Sequence, residues 1–117
     1  MSTILIILND APYGSERTCN GLRLAGALAG AGGHDLRLFL LGDSVVAAKA
    51  GQKVPSGYYS VEVMLGAVVR GGGKLALCGT CLDARGIGDA EIMQGAQRGT
   101  MSQLAEWTGT ADRVAVF

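Results

Sequence analysis

The chain has 117 residues, with ten basic side chains balanced by ten acidic ones, which bounds it to one domain spanning residues 1–117. It has no run of like charge and no basic stripe interleaved with aromatics, so the electrostatic footprint of a nucleic-acid binder is excluded. Apolar residues make up 49% and charged residues 17%, a balance shifted away from an ordinary monomer and toward a homo-oligomer with a covered interface. A count inflated by alanine and glycine is the plainer reading of the same numbers.

The opening Met1-Ser2-Thr3 followed by Ile4 to Leu8 lacks the positive flank and the length of a signal peptide. No apolar run approaches a bilayer span, so no membrane partner and a cytoplasmic location are expected. Three cysteines, an odd number in a reducing compartment, point to chemistry or packing rather than to a disulfide framework.

In chain order, Thr3-Ile4-Leu5-Ile6-Ile7-Leu8-Asn9 is continuous and rich in β-branched residues. It reads as a strand buried on both faces of a parallel sheet. Asp10-Ala11-Pro12-Tyr13-Gly14 is a loop, and Ser15 is placed to cap a helix from about Glu16 to Ala31. That helix carries Leu22, Ala25, Leu28 and Ala29 on one side, and Gly21, Gly26 and Gly30 allow close backbone approach at a cost in helix propensity. Its glycines are not a dinucleotide fingerprint, because they close a helix instead of opening one after a strand.

Leu36 to Leu41 is the second strand, with His34 in the turn before it. Gly42-Asp43-Ser44 turns into a short helix through Ala50, and Gly51 to Tyr59 is irregular. A helix from about Ser60 to Arg70 has Val61, Met64, Leu65 and Val68 at helical spacing. Lys74 to Cys78 is the third strand and opens into a cysteine loop. Weak helical periodicity over Asp89 to Gln97 and a helix from Ser102 to Thr108 lead to a last strand, Arg113 to Phe117. The alternation predicts a three-layer α/β/α fold with a mainly parallel sheet of four to five strands.

In such a sheet the carboxyl ends of the strands share one rim, where ligands bind. That rim gathers Asn9 and Asp10, Gly42-Asp43-Ser44, and Cys78 to Cys81, and backbone N–H groups there favour an anion such as a thiolate or persulfide. Asp after a strand is also an ordinary helix cap. For the cysteines three readings compete. A zinc site wants four ligands, and the chain offers three cysteines and one histidine, with His34 at the opposite rim. Thiol–disulfide exchange uses Cys-x-x-Cys, although that pair ordinarily opens a long helix near the start of its domain. The third reading is a single nucleophilic thiol, Cys78, with Cys81 as a resolving partner or a bystander. Cys19, mid-helix among apolar neighbours, reads as a small core residue.

Cys78, six residues, then Arg85-Gly86-Ile87 resembles the cysteine loop of the DsrE/DsrF/TusD sulfur-relay superfamily. Asn9 to Glu16, the Leu36 to Leu41 strand with Asp43, Gly51-Gln52-Lys53, Thr80-Cys81, Leu104 to Trp107 and Ala111-Asp112 extend the likeness to its YchN-like branch. The resemblance implies a homotrimer or homohexamer in which the cysteine at position 78 carries sulfur as a persulfide between donor and acceptor proteins. No cofactor and no metal are expected. Cys78, Cys81 and Arg85 are the expected chemical residues, Arg85 either stabilising charge or clamping carbonyls. Asn9, Asp10, Tyr13, Gly14, Ser15, Asp43, Gly79 and Thr80 are the expected surroundings of the substrate. Two other uses stay open: a Cys78–Cys81 redox switch, and a small-anion-binding or assembly module without catalysis. The Gly51 to Tyr59 loop is expected to reach a neighbouring subunit.

Overall fold

The apolar runs become the strands of one sheet. A computed structural model describes residues 1–117. Its strands are β1 (Ser2–Leu8), β2 (His34–Leu40), β3 (Lys74–Cys78), β4 (Ala96–Gly99) and β5 (Arg113–Val116), in the order β4-β3-β2-β1-β5. Every neighbouring pair is parallel. The helices are α1 (Arg17–Ala31), α2 (Val61–Arg70), α3 (Gly79–Ala84) and α4 (Met101–Thr110), with 3₁₀ segments at Gly42–Ala48 and Asp89–Glu91.

The chain steps one way across the sheet from β1 to β4 and then returns to the far side of β1. Right-handed crossovers therefore place α1 and α2 on one face and α4 on the other. Side chains agree with that assignment. A Cβ at Gly21 of α1 would run into Leu8 and Phe117, whereas Trp107 of α4 meets Phe39 edge-on, with centroids 6.1 Å apart. Leu8 pairs in register with Leu40, and Ile7 with Phe39, so alternate residues of β1 and β2 serve the two faces. Between them sit the largest fully buried side chains, among them Phe39, Leu5, Ile6, Leu8, Leu38, Leu40 and Leu77.

Several local expectations change. The capping residue of α1 is Glu16, not Ser15, and it makes no side-chain cap bond. Ser15 Oγ still accepts from the Arg17 amide at 3.3 Å. On α1 Leu22 and Ala25 are buried, but Ala29 is exposed. Of its glycines only Gly21 serves close approach, since a Cβ at Gly26 or Gly30 would meet nothing within 4 Å. The cysteine loop is in fact α3, and the periodicity over Asp89 to Gln97 is a 3₁₀ turn followed by β4. His34 is the first residue of β2 and stands, as expected, at the rim opposite Cys78.

The Gly51 to Tyr59 loop folds onto its own chain. Gln52 Nε2 donates to the carbonyls of Val46 and Lys49 at 2.6 and 2.8 Å. Tyr59 stacks on Tyr13 with centroids 5.3 Å apart. The Gly51 and Gln52 amides donate to the Glu62 carboxylate, while Tyr58 and Tyr59 stay exposed at 67% and 40%.

Candidate functional site: a thiol pair at a strand end

β3 delivers Cys78 to the carboxyl rim of the sheet, and α3 starts at the next residue, with Cys78 in the N-cap position. Cys81 is then the third residue of the helix. N-cap and third-residue positions adjoin at the start of a helix, so the two cysteines lie close together. The two thiols lie close enough to influence each other's ionisation. Both are free.

Cys78 Sγ lies 3.3 Å from Thr80 Oγ1. Burial pushes its pKa up, and hydrogen bonds from the Cys81 and Thr80 side chains and backbone amides outweigh that and hold the thiol below its ordinary value. Cys78 Sγ completes no cap hydrogen bond with the start of α3. Cys81 goes the other way. Burial and its bond to Cys78 raise it, against an opposing pull from the Gly42 amide and from Arg85. The pair thus divides into a sulfur poised to ionise and one held as a thiol.

The rim is closed around this pair by backbone and charge. The Gly42 N–H donates to Cys81 Sγ at 3.2 Å, so a backbone donor at the end of β2 does meet a sulfur, though Cys81 and not Cys78. Arg85 Nε and Nη2 donate to Asp43 Oδ1 at 3.2 and 2.6 Å, and Nη1 donates to the Cys81 carbonyl at 3.0 Å. Arg85 is therefore a clamp between the end of β2 and α3, and Asp43 is its anchor.

The residues after β1 are braced against one another and against the chain around them. Asn9 N and Nδ2 both donate to the Phe117 carbonyl. The Asp10 carboxylate accepts from Ser15 Oγ at 2.7 Å and from Arg17 at 3.4 Å. Tyr13 Oη accepts from the Val61 amide at 3.1 Å, and Gly14 turns tightly against Ala11. None of these makes a hydrogen bond to either cysteine. Cys19 is half-buried on α1. No group of three or more His, Cys, Asp or Glu side chains is arranged to hold a metal ion, and no helix is long and apolar enough to cross a membrane.

One residue was not anticipated. Arg98 of β4 donates through Nη1 to the Gly79 carbonyl at 2.9 Å and to Asp83 at 3.0 Å, and through Nε to Asp89 at 2.9 Å. Nothing in its local spacing marks it, because a four-residue polar strand has no periodicity to read.

A parallel sheet covered on both faces, with a Cys-x-x-Cys pair at the junction of strand and helix, defines a thiol-bearing α/β domain. The chain belongs to the DsrE/DsrF-like family, whose model matches residues 2–117, and that membership suggests a sulfur-relay-related role. It is 44% identical to Protein YchN of Escherichia coli K12 over an alignment of 118 residues that covers both chains completely. It is 31% identical to an uncharacterized protein of Methanopyrus kandleri, over all of this chain and 95% of that one. The crystal structure of the E. coli ychN protein superposes on it with a TM-score of 0.95, covering all of both chains.

Proposed function

We propose that this chain is a persulfide carrier that receives and hands on sulfur at Cys78. The observation that carries the reading is a strand-end sulfur with Thr80 Oγ1 3.3 Å away and a second thiol, Cys81, three residues on. In the loading step the Cys78 thiolate attacks the outer sulfur of a donor persulfide. A new S–S bond forms on Cys78, the donor's S–S bond breaks, and the donor leaves as a thiolate. An acceptor's thiolate then repeats the exchange on the outer sulfur, so that no net oxidation occurs.

Cys78 is only 7% exposed in the single chain, whereas transfer requires a sulfur that another protein's thiol can reach. A persulfide eases this, since the atom to be transferred sits one S–S bond, about 2 Å, beyond the cysteine sulfur. Intact mass after incubation with a sulfur donor tests the reading. The wild-type chain gains one sulfur atom, and a chain that stays unmodified while a relay protein loads in parallel refutes it.

The reach between N-cap and third-residue thiols supports a second use of the same pair, as a disulfide switch. Mild oxidation is expected to remove both thiols together as a two-electron couple near cytosolic poise. Two thiols that persist through the titration rule it out.

The proposal includes self-assembly into a trimer or hexamer. In register, Val114 and Val116 of β5 pair with Leu5 and Ile7, on the face that α4 covers only in part. They are 43% and 63% exposed, next to an unpaired sheet edge that proteins ordinarily cover. Sedimentation should give three or six times the chain mass; a monomer at micromolar concentration overturns this part.

A further inference from the structure

We infer that Asp43 is a positioning residue for Cys81, acting through Arg85 to hold that thiol where it closes onto Cys78. The inference rests on the disulfide reading of the pair and gives the rim carboxylate a part in it. Two consecutive residues at the end of β2 grip Cys81 at two points. The Gly42 N–H donates to its Sγ at 3.2 Å. Asp43 Oδ1 accepts from Arg85 Nε and Nη2 at 3.2 and 2.6 Å, and Arg85 Nη1 donates to the Cys81 carbonyl at 3.0 Å. The sulfur and the carbonyl of one residue are thus both referred to one strand end.

The end of α3 leaves that carbonyl to the side chain. The Arg85 amide donates to the Leu82 carbonyl at 3.1 Å, and the Gly86 and Ile87 amides turn to Asp83 and Leu82. With six residues, α3 is too short to hold its place by helical hydrogen bonds alone. Where Cys81 stands therefore depends on what α3 is tied to. Arg98 fastens the helix to β4 through the Gly79 carbonyl and Asp83, and the Asp43 clamp ties it to β2. The Asp43 side chain is 66% exposed, and an ion pair so exposed adds little to global stability. Its consequence is geometric, because a thiol that attacks a neighbouring sulfur is effective only while it is held in line.

With glutathione disulfide as the oxidant, closure of the pair runs in two steps. The Cys78 thiolate attacks one glutathione sulfur, a Cys78–glutathione bond forms, and the other glutathione leaves as a thiolate. The Cys81 thiolate then attacks Cys78 Sγ, the Cys78–Cys81 bond forms, and the second glutathione leaves. The two cysteines give up two electrons and two protons, which convert one glutathione disulfide into two glutathione thiols. Asp43 bears on the second step alone.

The test follows the intact mass of the full chain, acid-quenched during reaction with glutathione disulfide, for wild type, Asp43→Ala, Asp43→Asn and Arg85→Gln. The wild-type chain passes through the glutathione adduct to the closed form, which lacks two hydrogens. In Asp43→Ala the adduct forms as fast as in wild type and lasts on the order of tenfold longer. Asp43→Asn keeps the acceptor oxygen and falls between. Arg85→Gln cuts the clamp from the other side, and it carries the test should Asp43→Ala fail to fold. An adduct lifetime unchanged in the folded variants overturns the inference, as does a change in both steps together, the mark of a general loosening of the rim. A wild-type chain that never reaches the closed form overturns it along with the disulfide reading. No sulfur donor takes part, so these outcomes are separate from a failure of Cys78 to load.

Discussion

Cys78→Ser will gain no sulfur under conditions in which the wild-type chain gains one atom, and Cys81→Ser will still load. The expected effect is complete loss for the first, because a serine hydroxyl is not ionised near neutral pH and cannot form the S–S bond on which transfer depends. For Cys81→Ser the hydroxyl takes over as a donor to the Cys78 sulfur, so the group that lowers Cys78 is retained in kind. Its loaded form is expected to persist longer, since the neighbouring thiol that could attack the Cys78 persulfide is gone. The reverse pattern, loading that survives in Cys78→Ser and disappears in Cys81→Ser, would move the carrier role by one helical turn. Intact mass, followed by peptide mapping of the adduct, separates these outcomes.

How far the sequence carries toward this site differs element by element. Thr3 to Asn9 and Leu36 to Leu41 are legible because burial on both faces leaves unbroken apolar runs. Ser60 marks the start of α2 because it caps in the ordinary way, its Oγ accepting from the Val63 amide at 3.3 Å. α3 escapes because its cap is a cysteine, its first residue a glycine, and its six residues too few to show a period. β4 escapes because Ala96-Gln97-Arg98-Gly99 is an edge strand in which only Gly99 is buried, and edge strands shed the hydrophobic alternation that identifies strands.

The candidate site follows the same division. Cys78, Cys81 and Arg85 stand out by residue type and spacing, and Thr80 and Gly79 by adjacency. Asp43 is recognisable as a rim carboxylate, but its partner lies 42 residues away, so its role as the anchor of Arg85 needs the fold. Asn9, Asp10, Tyr13, Gly14 and Ser15 lie after β1, but Asn9 is taken by Phe117, Tyr13 by Val61, and Asp10 and Ser15 by each other. A strand-end loop must pair its own backbone and side chains before it can serve a ligand.

Phe39→Ala should be the costliest single truncation in the sheet. Phe39 sits on β2, the central strand, with Ala76 of β3 and Ile7 of β1 in register on either side. Its ring is fully buried and meets Trp107 edge-on at 89°. A Cβ at Gly99 would come within 3.0 Å of the ring, so the space is already filled on the β4 side. Small neighbours such as Ala76 and Gly99 cannot expand into the hole, and Trp107 is further tied by Arg37, whose guanidinium lies 5.7 Å from the indole centroid. A site that cannot collapse puts the loss at the upper end of the usual range for Phe→Ala, about 3–5 kcal/mol. That is a large share of the roughly 5–15 kcal/mol that holds a domain of this kind together. Urea denaturation of wild type and variant at equal protein concentration measures it. A loss under about 1 kcal/mol, the scale of an ordinary substitution, would mean that α4 does not seal this face as described. The consequence extends to the thiols, because Gly99, which the Phe39 ring supports, is the register partner of Cys78. Even where the variant remains folded, β4 loses its backing beside Cys78, and the rate of Cys78 alkylation should change with it.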